Sequence, residues 1–146
     1  MMRIKMTAVL FAVMGLASCR LFFGPEVAIS VDITLNAVTV IGETSAEDEW
    51  SYTVQIEAGD LEWPLAVGET VSFESTTWEW VKFRMKVTEE NVLLDRGPSL
   101  ASSLLGRDIL AQSSYEITRE IEVSDASDEA GSVIWRFEFS LDSTEL

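Results

Sequence analysis

The chain predicts an all-β fold: a single antiparallel β-sandwich of about seven or eight strands with at most one short helix. Three observations carry that expectation. Apolar and polar residues alternate with period two in segment after segment. Turn-forming residues separate those segments at regular spacing. Helical spacing is confined to one stretch, residues 98–111. Five Trp, seven Phe and many Val and Ile supply a sizeable core, which excludes a disordered chain.

The elements follow in order. Residues 27–35 alternate cleanly, with Val27, Ile29, Val31, Ile33 and Leu35 facing one way and Ala28, Ser30, Asp32 and Thr34 the other. Residues 38–41 continue that strand after a bend at Asn36 and Ala37. An acidic loop spans 42–49. Trp50, Tyr52, Val54 and Ile56 form the apolar side of a second strand. Gly59 and Asp60 turn the chain, and Pro64 demotes any strand around Trp63. Residues 69–74 suit a short strand with Val71 and Phe73 inward. Residues 78–88 are expected to be the longest strand. Val81, Phe83, Met85 and Val87 make its apolar face; Trp80, Lys82, Arg84 and Lys86 make the other.

Residues 92–94 suit a further short strand. Residues 98–111 are the helical candidate, because Ser99, Leu100, Leu104, Leu105, Ile109 and Leu110 trace a rough stripe that Gly106 interrupts, and a single turn or two is expected there. Residues 115–123 alternate again: Ile117, Ile121 and Val123 oppose Glu116, Thr118, Glu120 and Glu122. A polar, acidic loop spans 124–131. Val133, Trp135, Phe137, Phe139 and Leu141 form the last strand, and a polar tail starts at Asp142. The domain is thus expected over residues 27–142, with 143–146 as its tail.

Residues 1–18 differ in character. Arg3 and Lys5 give a positive start, residues 7–16 are almost wholly apolar, and small residues lead to the only cysteine, Cys19. That is the three-part layout of a secretory signal. The apolar run falls short of the ~20 residues that span a bilayer as a helix. Leu16, Ala17, Ser18 and Cys19 resemble the lipobox of bacterial lipoproteins. The resemblance implies cleavage between Ser18 and Cys19, and a diacylglycerol thioether on Cys19. It also implies anchoring in the cell envelope. Arg20 stands where an inner-membrane retention signal would place Asp, which points by the same resemblance to the outer membrane. Two acyl chains on one cysteine meet the requirement for stable anchoring. Residues 19–26 then form a short tether, in which Leu21, Phe22 and Phe23 either pack on the domain or dip into the membrane interface. A lone cysteine leaves no disulfide within the chain.

Charge narrows the function classes. The formal charge is −15, and removing Arg3 and Lys5 with the signal takes it to −17. Such a surface repels nucleic-acid phosphates, so no nucleic-acid partner is expected. It also repels anionic head groups, so the membrane is reached through the lipid rather than by charge. The chain has no His, which removes the commonest general base and metal ligand. No glycine-rich phosphate loop is present. No catalytic residue is assigned, and enzyme activity is not expected.

Lys82, Arg84 and Lys86 stand on one face of one strand beside Trp80. Two roles compete for them. One is a cationic, aromatic-edged patch for an acidic partner or glycan. The other is cross-strand ion pairing with the equally spaced Glu116, Glu120 and Glu122, at about 0.2–1 kcal/mol per opposed pair. The matching spacing favours ion pairing. Trp50, Trp63, Trp78, Trp80 and Trp135 invite a carbohydrate-binding reading. Aromatic side chains in sandwiches mostly serve the core, and Trp63 and Trp78, in turn-like surroundings, are the two to test.

The order of elements also resembles the synaptotagmin-type calcium/phospholipid-binding sandwiches. The matching pieces are the opening strand over 27–41 and Asp48-Glu49-Trp50-Ser51-Tyr52-Thr53-Val54, where that family has Asp-Pro-Tyr-Val-like residues. Later come Phe83-Arg84-Met85-Lys86-Val87, a loop running to Leu104-Leu105-Gly106, and Gly131-Ser132-Val133 before the last strand. The resemblance implies calcium as a ligand of acidic loops. Asp48, Glu89, Glu90, Asn91 and Asp95 are the oxygen donors this chain offers, without the family's Asp-x-Asp. Solvated acidic loops are the competing reading. The expectation is a membrane-anchored lipoprotein whose sandwich binds or supports an envelope protein or glycan. A calcium- or lipid-responsive sandwich and a carbohydrate-binding module are the alternatives.

Overall fold

Period-two alternation builds two layers here. The computed structural model describes residues 24–42, 50–89, 98–124 and 132–146. Cys19 and Ser18, the loop residues Asp48, Glu90, Asn91 and Asp95, and the short strand expected at 92–94 lie outside the described residues. The elements run β1 (Ala28–Ile41), β2 (Trp50–Ala58), β3 (Leu61–Pro64), β4 (Thr70–Thr76), β5 (Trp80–Glu89), β6 (Ser99–Leu105), α1 (Gly106–Gln112), β7 (Ser114–Ser124) and β8 (Ser132–Glu145). One antiparallel sheet has the order β4-β1-β8-β7, and the other has the order β3-β2-β5-β6.

The inward faces meet in one core. Ile29, Val31, Ile33 and Leu35 of β1, and Phe137, Phe139 and Leu141 of β8, are fully buried from one side. Ile56 of β2 and Val81, Phe83, Met85 and Val87 of β5 are fully buried from the other. Phe83 meets Phe139 edge to face, with centroids 5.2 Å apart. Each such side chain contributes about 1.5–3 kcal/mol by leaving water. The bend expected at Asn36 and Ala37 is a β-bulge, where the β1–β8 register shifts between Leu35 and Ala37. The extra residue moves the alternation by one, so Val38 and Val40, not Ala37 and Thr39, oppose Phe137 and Trp135.

Three expectations need correction. The helical candidate is half strand: β6 takes Ser99–Leu105 before α1 begins. Leu100 and Leu104 are four apart, which satisfies period two as well as a helix. Gly106 does not interrupt the helix but opens it, because a Cβ there would run into the Thr76 carbonyl oxygen. The polar tail from Asp142 belongs to β8, where Asp142–Glu145 continue the ladder with β1 down to Ile29. Its serine turns inward: Ser143 is buried and donates from Oγ to the Ile109 carbonyl at 3.1 Å. β1 and β8, at 14 residues each, exceed β5 at 10. Trp63 lies in β3, a short strand at the sheet edge, the position to which Pro64 confines it.

α1 carries the chain from the second sheet to the first. Its N-cap, Leu105, has no side-chain capping bond, and the β4–β5 turn supplies the partners instead. Gly106 N–H donates to the Glu79 carbonyl at 2.8 Å and Arg107 N–H to the Thr77 carbonyl at 2.9 Å. The same turn holds the entering chain. Val27 N–H donates to Thr77 Oγ1, and Trp78 Nε1 donates to the Gly24 carbonyl at 3.2 Å. The strand directions put this turn, α1 and Gly24 at one end of the sandwich. The strand ends flanking segments 43–49, 90–97 and 125–131 lie at the other.

Candidate functional site

The two outer faces differ in charge because of which residues alternate onto them. The first sheet turns Asp32, Glu74, Glu116, Glu120, Glu122, Glu138 and Asp142 outward, with Arg136 as the one cation there among the described residues. Asp32 and Asp142 are direct cross-strand neighbours, a like-charged pair. The second sheet turns out Trp80, Lys82, Arg84 and Lys86 from β5, flanked by Thr53, Gln55 and Glu57 of β2 and by Ser99, Ala101 and Ser103 of β6.

This arrangement overturns the expected pairing of the cationic row with Glu116, Glu120 and Glu122. Those glutamates lie on β7, in the other sheet. Glu120 faces Arg136 there, with Oε1 2.8 Å from both Nε and Nη2 of that arginine. Equal spacing along two strands says nothing about which sheet each joins. The acid that engages the row is Glu57, whose Oε1 lies 2.9 Å from Arg84 Nε. Glu57 is nearly buried at 14% side-chain exposure, while Arg84 keeps 56%. Lys82 sits directly opposite Glu57, yet the carboxylate reaches diagonally to Arg84. Lys82 and Lys86 have no ion-pair partner among the described residues. Nearby, Gln55 Nε2 donates to Glu62 at 2.7 Å, which keeps that second acid at the β3 edge.

Relief on this face comes from residue size. Long side chains on β5 stand beside Ser99 and Ala101 on β6, and the step between them opens a groove of about 290 Å³. Thr53, Gln55, Arg84, Lys86, Ser99 and Ala101 line it together with Met85 and Leu100. Trp80, 55% exposed, closes the row at the α1 end.

The tryptophans sort differently from the expectation. Trp63 stacks on Phe73 across the two sheets at 4.8 Å, so it serves packing. Trp78 is half-buried, its indole N–H committed to Gly24. Trp135 is buried, with Tyr52 6.0 Å away. Trp80 is the exposed one among them, on the outward face of β5 to which alternation assigns it.

At the β6–β7 margin, Arg119 points inward and donates from Nε to Ser102 Oγ at 2.8 Å and from Nη1 to the Thr118 carbonyl. Beside it the Tyr115 phenol is held above its ordinary value, first by burial and then by the Asp108 carboxylate, with Arg119 opposing. It is a neutral hydroxyl at physiological pH. Of the residues expected to bind calcium, Glu89 is the last residue of β5, opposite Trp50. Among the described residues, no group of three or more Cys, Asp or Glu side chains could hold a metal ion. No protein-family model matches this chain, and no curated protein matches it closely enough to count as a relative.

Proposed function

We propose that this chain is a lipid-anchored binding module of the bacterial cell envelope, and that the second sheet's outer face is its binding surface for an anionic partner. One observation carries the surface: three cations project from neighbouring outward positions of a central strand, in a strongly acidic chain, and one carboxylate among the described residues engages them. Packing does not require such a row. Like charges along a strand repel, so an anionic ligand gains from all three where a neutral one gains from none. The groove and the exposed Trp80 add shape to that charge.

The anchor rests on the Leu16–Cys19 pattern. Residues 19–23 reach at most roughly 17 Å when extended, and Gly24 is tied to the β4–β5 turn. A lipid on Cys19 therefore keeps the α1 end near the membrane and leaves the cationic face running away from it. Mass spectrometry of the native N-terminal peptide tests the anchor: a diacylglycerol-modified Cys19 is expected, and a free thiol or another N-terminus overturns it. Binding to immobilised polyglutamate, polygalacturonate and anionic vesicles tests the surface. Arg84→Glu with Lys86→Glu is expected to weaken capture at least tenfold. Equal capture by that variant overturns the assignment of this face.

A further inference from the structure

We infer that β6 is a docking edge, and that an extended acidic segment of a partner protein adds to it as a further strand. The inference rests on the reading of the β2-β5-β6 face as an anionic-partner surface, and it names the mode and the class of that partner.

The ladder shows which backbone groups are available. β6 is the edge of its sheet and pairs only with β5 among the described residues. Val87 N–H donates to the Pro98 carbonyl at 3.1 Å, and Gly106 N–H donates to the Glu79 carbonyl at 2.8 Å. Bonded pairs alternate in an antiparallel ladder. Leu100, Ser102 and Leu104 therefore direct their N–H and C=O groups to β5, and Ser99, Ala101 and Ser103 direct theirs away from it.

That edge lacks the usual defences. Ser99–Leu105 reads SLASSLL, with no charge and no proline. The other edges are guarded: β3 has four residues and Pro64, β4 carries Glu74, and β7 carries Glu116, Arg119, Glu120 and Glu122. A bare edge seven residues long is a template for an added strand.

Charge selects what adds. Ser99, Ala101 and Ser103 are small and exposed, so Lys82 and Lys86, directly opposite Ser103 and Ser99 and without an ion-pair partner among the described residues, can extend over them toward a strand about 10 Å from β5, two strand spacings away. Acidic side chains at alternate positions of the added strand would meet them above the groove. Lysines there would be repelled. A glycan could meet the cations but cannot complete the ladder, because it has no alternating N–H and C=O groups.

The test is fluorescence anisotropy with the intact protein and labelled nine-residue peptides of alternating Glu and Val. The Glu–Val peptide is expected to bind, and a Lys–Val peptide at least tenfold more weakly. A Glu–Val peptide N-methylated at alternate residues keeps its charge but loses one edge of donors, and it is expected to bind at least tenfold more weakly. Ala101→Pro deletes one outward N–H at a position where an edge tolerates proline, and it is expected to weaken binding similarly. The N-methylated peptide leaves the protein untouched, so it decides the matter if that variant unfolds. Tight binding of the N-methylated peptide overturns strand addition while leaving the anionic-surface reading standing. Indifference to Arg84→Glu with Lys86→Glu overturns the surface reading itself. A two-fold dimer through β6 that the peptide cannot dissociate makes a second copy the occupant and overturns the inference.

Discussion

At the β3–β4 margin, the contact between the sheets is the stack of Trp63 on Phe73, with ring centroids 4.8 Å apart. At the β6–β7 margin, Leu100, Leu104 and Ile117 also pack on the core, and a 2.8 Å hydrogen bond from Arg119 to Ser102 joins the two strands. The first margin stabilises the fold by apolar burial. The second adds to its apolar packing a hydrogen bond that exchanges protein–water for protein–protein bonding and nets little. The cationic row and the bare strand edge sit on the second side. Core closure and partner binding are thus assigned to opposite margins, and a disturbance at one should spare the other.

The largest effect should come from Phe73→Ala. It empties the apolar margin and is expected to cost about 3–5 kcal/mol in urea unfolding, with anionic-ligand affinity kept in the folded fraction. A cost under about 1 kcal/mol would break the contrast. Gly106→Ala acts where the chain crosses between the sheets. Its Cβ would meet the Thr76 carbonyl oxygen and lie 3.1 Å from Thr77 Cα, so backbone must shift. Overpacking of this kind is expected to cost about 1–3 kcal/mol by the same measurement.

Ser102→Ala should cost only about 0.5–1.5 kcal/mol, the net worth of one hydrogen bond. A loss as large as that of Phe73→Ala would show that the polar margin carries the fold after all. The smallest effect concerns alkaline pH. The Tyr115 phenol is raised above its ordinary value near 10 in the folded chain. As pH rises past that value the unfolded chain loses its proton first, so folded stability falls. Tyr115→Phe should flatten the fall, measured as melting temperature between pH 9 and 11 (a range chosen about the ordinary value).

Much of this architecture is legible residue by residue. β1, β2, β5, β7 and β8 alternate so cleanly that their buried faces follow from the sequence, and even the bulge shows as a break at Asn36 and Ala37. β6 is not legible. Its inward residues are Leu100, Ser102 and Leu104, and a serine in the middle weakens the period-two signal while Leu100 and Leu104 mimic a helix. The tail is misread for a similar reason: Ser143 faces the interior but looks like a surface residue until the Ile109 carbonyl is placed beside it. The cationic row is visible on β5 from alternation alone. Its counter-charge is not, because strand pairing is non-local. Glu57 and Glu116 are equally plausible neighbours until the sheet order separates them.

Amide hydrogen exchange along β6, with and without the Glu–Val peptide, tests the central claim most directly. In the free protein, the outward amides of Ser99, Ala101 and Ser103 should exchange fast while those of Leu100, Ser102 and Leu104 are protected by β5. The peptide should slow the first three at least tenfold. Unchanged exchange at Ser99, Ala101 and Ser103 under saturating peptide would contradict the account.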